Sequence, residues 1–138
     1  MKNLSDAILG SSLSATCKSN GINIYVITRH ESANMGKPRT VFAFADRVNK
    51  NIFLVAEDIN EADIDSRALQ VLLWHEATHI VEDTIDEKRC DENAIYHVSK
   101  TAYDRLVSKS NAFIIKRRAE LGIIKNGHSR RYEHRAAF

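Results

Sequence analysis

The sequence is poor in residues that interrupt or cross-link a polypeptide. Its 138 residues include one proline, five glycines and two cysteines. Cys17 and Cys90 lie far apart in the chain, so they form no CxxC motif and give little support for a disulfide framework. Reduced thiols are the expected state of the two cysteines. The scarcity of proline and glycine leaves room for long, uninterrupted helices.

Long apolar runs are also missing. No stretch approaches the roughly 20 apolar residues that a membrane-spanning helix needs. The N-terminal residues Lys2, Asn3, Ser5 and Asp6 are polar, unlike a secretory signal. We therefore expect a cytoplasmic protein without a membrane partner. Hydrophobic residues make up 43% and charged residues 28% of the chain, values typical of one globular domain.

Charge is unevenly distributed along the chain. Residues 109–138 contain eight Lys or Arg against two acidic residues, whereas residues 1–108 contain twelve against sixteen. We predict one domain over residues 1–121 and a basic tail over residues 122–138. Nucleic acid or an acidic partner is a candidate ligand of this region, although scarce aromatic residues favour a solvated helix and loose terminus. The candidate contacts are Lys116, Arg117, Arg118, Arg130 and Arg131.

Hydrophobic periodicity predicts an α+β fold. A small, twisted, three-stranded sheet with a hairpin at its edge should pack against helices, in a zincin-like arrangement. Residues 29–39 are predicted as a loop, and Val48–Asn51 as the hairpin turn. The predicted strands are Ile22–Ile27, Thr40–Ala45 and Asn51–Ala56, and the predicted helices are Asn3–Asn20, Ala62–Asp83, Asp86–Ser108 and Ala112–Leu121, the last ended by Gly122.

The most informative motif is His75-Glu76-Ala77-Thr78-His79, an HExxH pattern. A helix places residues four apart on one face, so both imidazoles can reach one metal ion. Residues 62–83 contain no glycine or proline, and Asp63 or Asp65 is a candidate N-cap. Apolar neighbours predict that this helix is buried, and a buried histidine needs a partner such as a metal ion. Glu76 is the expected general base.

A catalytic zinc site normally has a third protein ligand. The spacing of a metzincin would require glycine and histidine where this chain has Glu82 and Ile85, so that class is excluded. A ligand from a separate helix completes a tetrahedron more easily, which favours Glu92, with Asp91 as the alternative. Cys90 is a further possibility, although a plain thiol is the commoner role. The complete set of acidic and histidine candidates is Glu82, Asp83, Asp86, Glu87, Asp91, Glu92 and His97.

The run NIFLVAEDINEADIDSRALQVLLWHEATH and the later CDENAIYHVSK resemble the ImmA/IrrE family of zinc metallopeptidases, over roughly Ile22 to Lys100. The family has an HExxH helix followed by a helix that begins with a glutamate-alanine-asparagine element and an aromatic residue. Glu92 falls on that glutamate and Tyr96 on that aromatic position. Thr78 and Asn93 differ from the glycine or alanine usual there. The resemblance implies a minimal gluzincin with one Zn²⁺ per chain.

The implied activity is that of a zinc-dependent endopeptidase acting on a protein or peptide substrate. Zinc held by His75, His79 and Glu92 would activate a water molecule whose proton Glu76 accepts. Tyr96, His97 and Tyr103 are candidate oxyanion stabilisers, and Tyr96 is the one that we choose. Strand residues 52–55 are a candidate substrate guide.

Two further expectations concern the chain as a whole. The alternative function is a non-proteolytic zinc-binding module that the basic tail recruits to nucleic acid or an acidic partner. Small size and the unusual tail would also suit a protein of a phage or mobile element.

Overall fold

Strands and short helices alternate in the first half of the chain, and longer helices follow. The computed structural model describes residues 2–3, 6–37 and 42–120. The elements in chain order are β1 (Lys2–Asn3), α1 (Asp6–Leu9), α2 (Ser11–Asn20), β2 (Asn23–Ile27), α3 (Arg29–Asn34), β3 (Ala43–Asp46), β4 (Asn51–Val55), α4 (Ala56–Glu61), α5 (Ser66–Val81), α6 (Glu87–His97) and α7 (Lys100–Glu120).

The small sheet is mixed, which confirms the α+β class. Its strand order is β1-β2-β4-β3. β2 runs parallel to β4, and β3 forms the antiparallel hairpin with β4. The two-residue strand β1 adds to the far side of β2 and was not predicted. Because β4 is paired on both sides, the predicted substrate guide at residues 52–55 is internal, and β1 and β3 are the outer strands among the described residues.

The predicted loop over residues 29–39 is wrong for its first part, because Arg29–Asn34 forms helix α3. Thr28 begins this helix with a capping box. Its side chain accepts a hydrogen bond from the backbone N–H of Glu31, and the Glu31 carboxylate accepts one from the backbone N–H of Thr28. The Thr-x-x-Glu spacing was the available signal for this helix.

Two predicted helices have different bounds in the structure. The first divides at Gly10, whose φ of 84° lies in the left-handed region and separates α1 from α2. The predicted helix Asp86–Ser108 is interrupted, because α6 ends at His97 and α7 begins after Ser99. The hydroxyl of Ser99 accepts a hydrogen bond from the backbone N–H of Ala102. The predicted break near residues 109–111 lies inside α7. Gly122 lies outside the described residues.

Helix α5 is the centre of the core, as its apolar sequence predicts. Its buried residues pack between the sheet on one side and α6 and α7 on the other. No helix within residues 6–37 and 42–120 combines the length and apolar character needed to cross a membrane. The buried residues of α5 are Ala68, Val71, Leu72, Leu73, Trp74, His75, Glu76, Ala77, Thr78 and Ile80.

Asp65 begins α5 and also ties it to α7. Its carboxylate accepts a hydrogen bond from the backbone N–H of Ala68 at 2.9 Å. The Arg105 guanidinium donates to both oxygens of the same carboxylate, from Nε at 3.0 Å and from a terminal nitrogen at 3.2 Å. The hydrogen bonds from Arg105 and Ala68 hold the pKa of Asp65 well below its ordinary value.

We predict that Asp65→Ala destabilises the fold by about 1–2 kcal/mol, because the helix loses its N-cap. The contribution of the carboxylate is present above its ordinary pKa of 3.8 and is lost as the pH falls below that value. Asp65→Asn is the matched control, since an amide still caps the helix but carries no charge. Urea unfolding at neutral pH measures the difference, and equal stability of Asp65→Ala and wild type would contradict the assignment.

Candidate metal centre

The three functional residues of the HExxH motif lie in the interior because α5 is buried on most sides. The side chain of His75 is 1% exposed and that of His79 is 11% exposed. Glu76, on the same turn as His75, is 3% exposed. The ring centroids of the two histidines are 5.0 Å apart. The structure therefore places two imidazoles and a carboxylic acid together where solvent is largely absent.

Glu87, in the first turn of α6, contacts both imidazoles. Its Oε2 lies 3.1 Å from His75 Nε2, and its Oε1 lies 3.0 Å from His79 Nε2. Its own side chain is 32% exposed. The equivalent nitrogens of the two histidines thus point to one carboxylate on the neighbouring helix.

The other nitrogen of each ring has its own partner. His75 Nδ1 lies 2.7 Å from Asp91 Oδ1, and His79 Nδ1 lies 2.7 Å from the carbonyl oxygen of Thr84. Tyr103 donates its hydroxyl hydrogen to Asp91 Oδ2 at 3.1 Å. Histidines that bind metals commonly donate their second ring N–H to a carboxylate or a carbonyl, which fixes the tautomer. With both Nδ1 atoms held in this way, the two Nε2 atoms are the candidate ligand atoms.

Cys90 also belongs to this cluster. Potential ligand atoms of His75, His79 and Cys90 all lie within 4.8 Å of one another, close enough to bind one metal ion. Cys90 is fully buried, and its side chain hydrogen bonds with that of His79.

The cluster shifts the pKa values of its members. Burial alone lowers the pKa of His75, but hydrogen bonds to Asp91 and Glu87 outweigh it and raise the value to about 9. The hydrogen bond with Cys90, followed by that with Glu87, raises the pKa of His79 to about 11. Burial raises the pKa of Glu87, but the two histidines more than compensate and hold it well below the ordinary value. The metal-free site is therefore an ion-pair cluster.

Glu76 has the opposite environment. Burial raises its pKa to about 7, although the nearby His75 and His79 act to lower it. Its Oε2 is buried and has no hydrogen-bond partner among the described residues. A buried polar atom without a partner is costly, and it is often explained by a bound group or a catalytic role. A pKa near neutrality also suits a proton acceptor at physiological pH.

The structure does not bring Glu92 or Tyr96 to the histidines. Glu92 is exposed on α6, and Tyr96 is 83% exposed. Five residues of helix turn the chain by about 140° beyond a full turn, so Glu92 lies on the side away from Glu87. Glu87, and not Glu92, is the carboxylate that contacts the Nε2 atoms of both imidazoles. Asp91, the alternative, contacts His75 through Nδ1.

The remaining oxyanion candidates are already engaged. His97 stacks on the ring of Trp74, with centroids 3.7 Å apart. Tyr103 donates to Asp91, as described above.

Helix periodicity could have found the correct face. Residues three and four apart share one side of a helix. Glu87, Cys90 and Asp91 have this spacing, and all three contact the HExxH histidines. The sequence alone offers seven acidic or histidine candidates, and the start of α6 at Glu87 fixes which of them face α5.

The basic residues of α7 lie apart from this cluster. Lys116 is exposed, whereas Arg117 and Arg118 are partly buried, and Arg117 pairs with Glu120 at 3.0 Å. Arg130 and Arg131, with the rest of the predicted tail, lie outside the described residues. Binding of nucleic acid by this region stays a prediction.

The comparisons with known proteins identify no relative. No protein-family model, curated protein or solved structure matches the chain. The chemistry of the cluster therefore has to be inferred from its own geometry.

We predict that divalent metal binding strengthens as the pH rises from about 6 to about 8. The raised pKa values of His75 and His79 keep both imidazoles protonated in the metal-free chain over this range, so an entering ion must displace two protons. Release of these two imidazole protons alone should raise the apparent affinity by up to about 100-fold per pH unit. Calorimetry in buffers of different ionisation enthalpy counts the released protons, and a pH-independent affinity would contradict the prediction.

The same shifts affect the stability of the metal-free chain in the opposite direction. Contacts between the histidines and carboxylates stabilise the fold below the ordinary histidine pKa of 6.5. That contribution is lost as the pH rises through the raised values.

We predict that Glu87→Gln weakens zinc binding beyond the roughly 10–100-fold loss that follows removal of an outer-shell partner. Glu92→Gln is the matched control, because it makes the same change on the exposed side of the same helix. It should leave the affinity unchanged. Competition with a chromophoric chelator measures both variants. If only Glu92→Gln lowered the zinc affinity, the result would contradict Glu87 as a ligand and support Glu92.

Proposed function

We propose that the chain is a zinc-dependent peptidase of minimal gluzincin type. The carrying observation is the convergence of both histidine Nε2 atoms on Glu87, with both Nδ1 atoms held by other partners. His75, His79 and Glu87 would hold the ion. Two imidazoles and a carboxylate are a donor set that zinc accepts in catalytic sites.

Zinc bound there would polarise the scissile carbonyl and lower the pKa of a water molecule. Glu76 then accepts the proton of the attacking water and passes it to the leaving amine. Its burial and raised pKa support this role, because a carboxylate near neutrality can both take and return a proton. Asp91 positions the ring of His75, and Tyr103 in turn positions Asp91.

Strand β3 is the better candidate for guiding a peptide substrate. Among the described strands, β3 is an outer strand, as β1 is at the opposite edge, whereas β4 is paired on both sides. A surface groove of about 960 Å³ runs past Phe44, Ala45 and Asp46 of β3 to Ile80 and Asp83 near the end of α5. An extended peptide adds naturally to such an outer strand through main-chain hydrogen bonds.

Membership of the ImmA/IrrE family remains part of the proposal. The HExxH helix and a following helix with an acidic ligand support it, although the ligand is now Glu87. The family likeness implies cleavage of a protein substrate, and the chemistry of the cluster is consistent with that class of reaction.

We predict that Glu76→Gln lowers peptide cleavage by about 100-fold to 10,000-fold, because the general base is lost. Zinc content should remain, since Glu76 is not a ligand. Mass spectrometry of a peptide library incubated with zinc-loaded protein measures cleavage, and elemental analysis measures the metal. Glu92→Gln serves as the control with intact activity. Cleavage that survives in Glu76→Gln would contradict the assigned base, and an inactive, zinc-loaded wild type would contradict the peptidase.

A further inference from the structure

We propose that Cys90 is a fourth protein ligand of the same metal ion and restrains the activity of the resting site. This inference rests on the metal site proposed above and adds a regulatory feature to it. A catalytic zinc site usually has three protein ligands and one open position, whereas structural sites are closed by four. A fourth ligand would therefore compete with the water needed for hydrolysis.

The position of Cys90 on α6 supports this role. It follows Glu87 by three residues, so both side chains lie on the helix face that meets α5. Its sulfur belongs to the group of atoms within 4.8 Å that includes ligand atoms of both histidines. Cys90 is fully buried, as expected for a side chain directed into the interface between α6 and α5.

The sulfur of Cys90 has the chemistry of a zinc ligand. Thiolate is a strong zinc ligand, and the thiol proton passes to solvent when the sulfur binds. Cys90 is fully buried, so water does not compete at the sulfur itself. Zinc can expand to five ligands in a transition state, which leaves the wild type a basal rate. The donor set of the resting ion is two imidazoles, one carboxylate and one thiolate.

The second cysteine provides a matched control. Cys17 is also a buried thiol, but it lies in α2 and belongs to the apolar core. Cys17→Ala and Cys90→Ala therefore remove the same group from two buried sites, only one of which faces the histidines. Since the chain has two cysteines, Cys17→Ala leaves Cys90 as the sole thiol.

The test loads the full chain with Co²⁺ and records its absorption spectrum. Visible bands report that the ion is bound, and a near-ultraviolet charge-transfer band reports a cobalt–thiolate bond. We expect both in wild type and in Cys17→Ala, and the visible bands alone in Cys90→Ala. Zinc-loaded Cys90→Ala should also cleave the peptide library several-fold faster than wild type, because a position for water opens.

The outcomes separate this inference from the proposed function. Visible bands without the charge-transfer band in wild type would overturn the role of Cys90 and leave the three-ligand site standing. Absence of any cobalt spectrum would overturn both. If Cys90→Ala fails to fold, Cys17→Ala still decides, because a charge-transfer band in that variant can arise only from Cys90. Loss of the band in Cys17→Ala would overturn the inference.

Discussion

The structure depends on how two imidazoles are accommodated inside an apolar helix. Burying an imidazole without partners is costly, and four ring nitrogens must be satisfied. Helix α6 and the segment before it supply a partner for each nitrogen. Glu87 contacts the Nε2 atoms of both rings, Asp91 contacts Nδ1 of His75, and the carbonyl of Thr84 contacts Nδ1 of His79. The packing of α6 on α5 is therefore determined by polar complementarity as well as by apolar contacts. The candidate metal centre is therefore also part of the packing interface between α5 and α6.

Glu76 is the one charged group of the motif that these contacts do not include. The histidines hydrogen bond with the carboxylates of α6, and Glu76 Oε2 has no hydrogen-bond partner among the described residues. The resulting preference for the neutral acid weakens the fold as the pH rises from 4.5 towards 7, where the carboxylate would ionise. Such local cost is common at functional sites, where reactivity is retained at the expense of stability.

The sequence was informative where one physical signal dominated. The uninterrupted apolar run predicted α5, and β-branched alternation predicted the strand that contains Ile24. The candidate third ligand was harder to predict, because its identity depends on which residues of α6 face α5. A shift of one residue along a helix turns a side chain by about 100°. Helix α3 was missed because its polar residues resemble a loop, although Thr28 and Glu31 carry a local cap signal. The division between α6 and α7 depends on Ser99, a single capping residue without a glycine or proline beside it.

Thr78 of α5 and Asn93 of α6 contact each other through their side chains. Asn93 Nδ2 donates to Thr78 Oγ1 at 2.9 Å, and the hydroxyl of Thr78 donates to the carbonyl oxygen of Trp74 at 2.7 Å. Removal of the Thr78 hydroxyl would leave the Asn93 amide without this acceptor, whereas Thr78 would keep its bond to Trp74 if Asn93 were replaced. The two positions are therefore coupled through one hydrogen bond between α5 and α6, on which Asn93 depends more than Thr78 does.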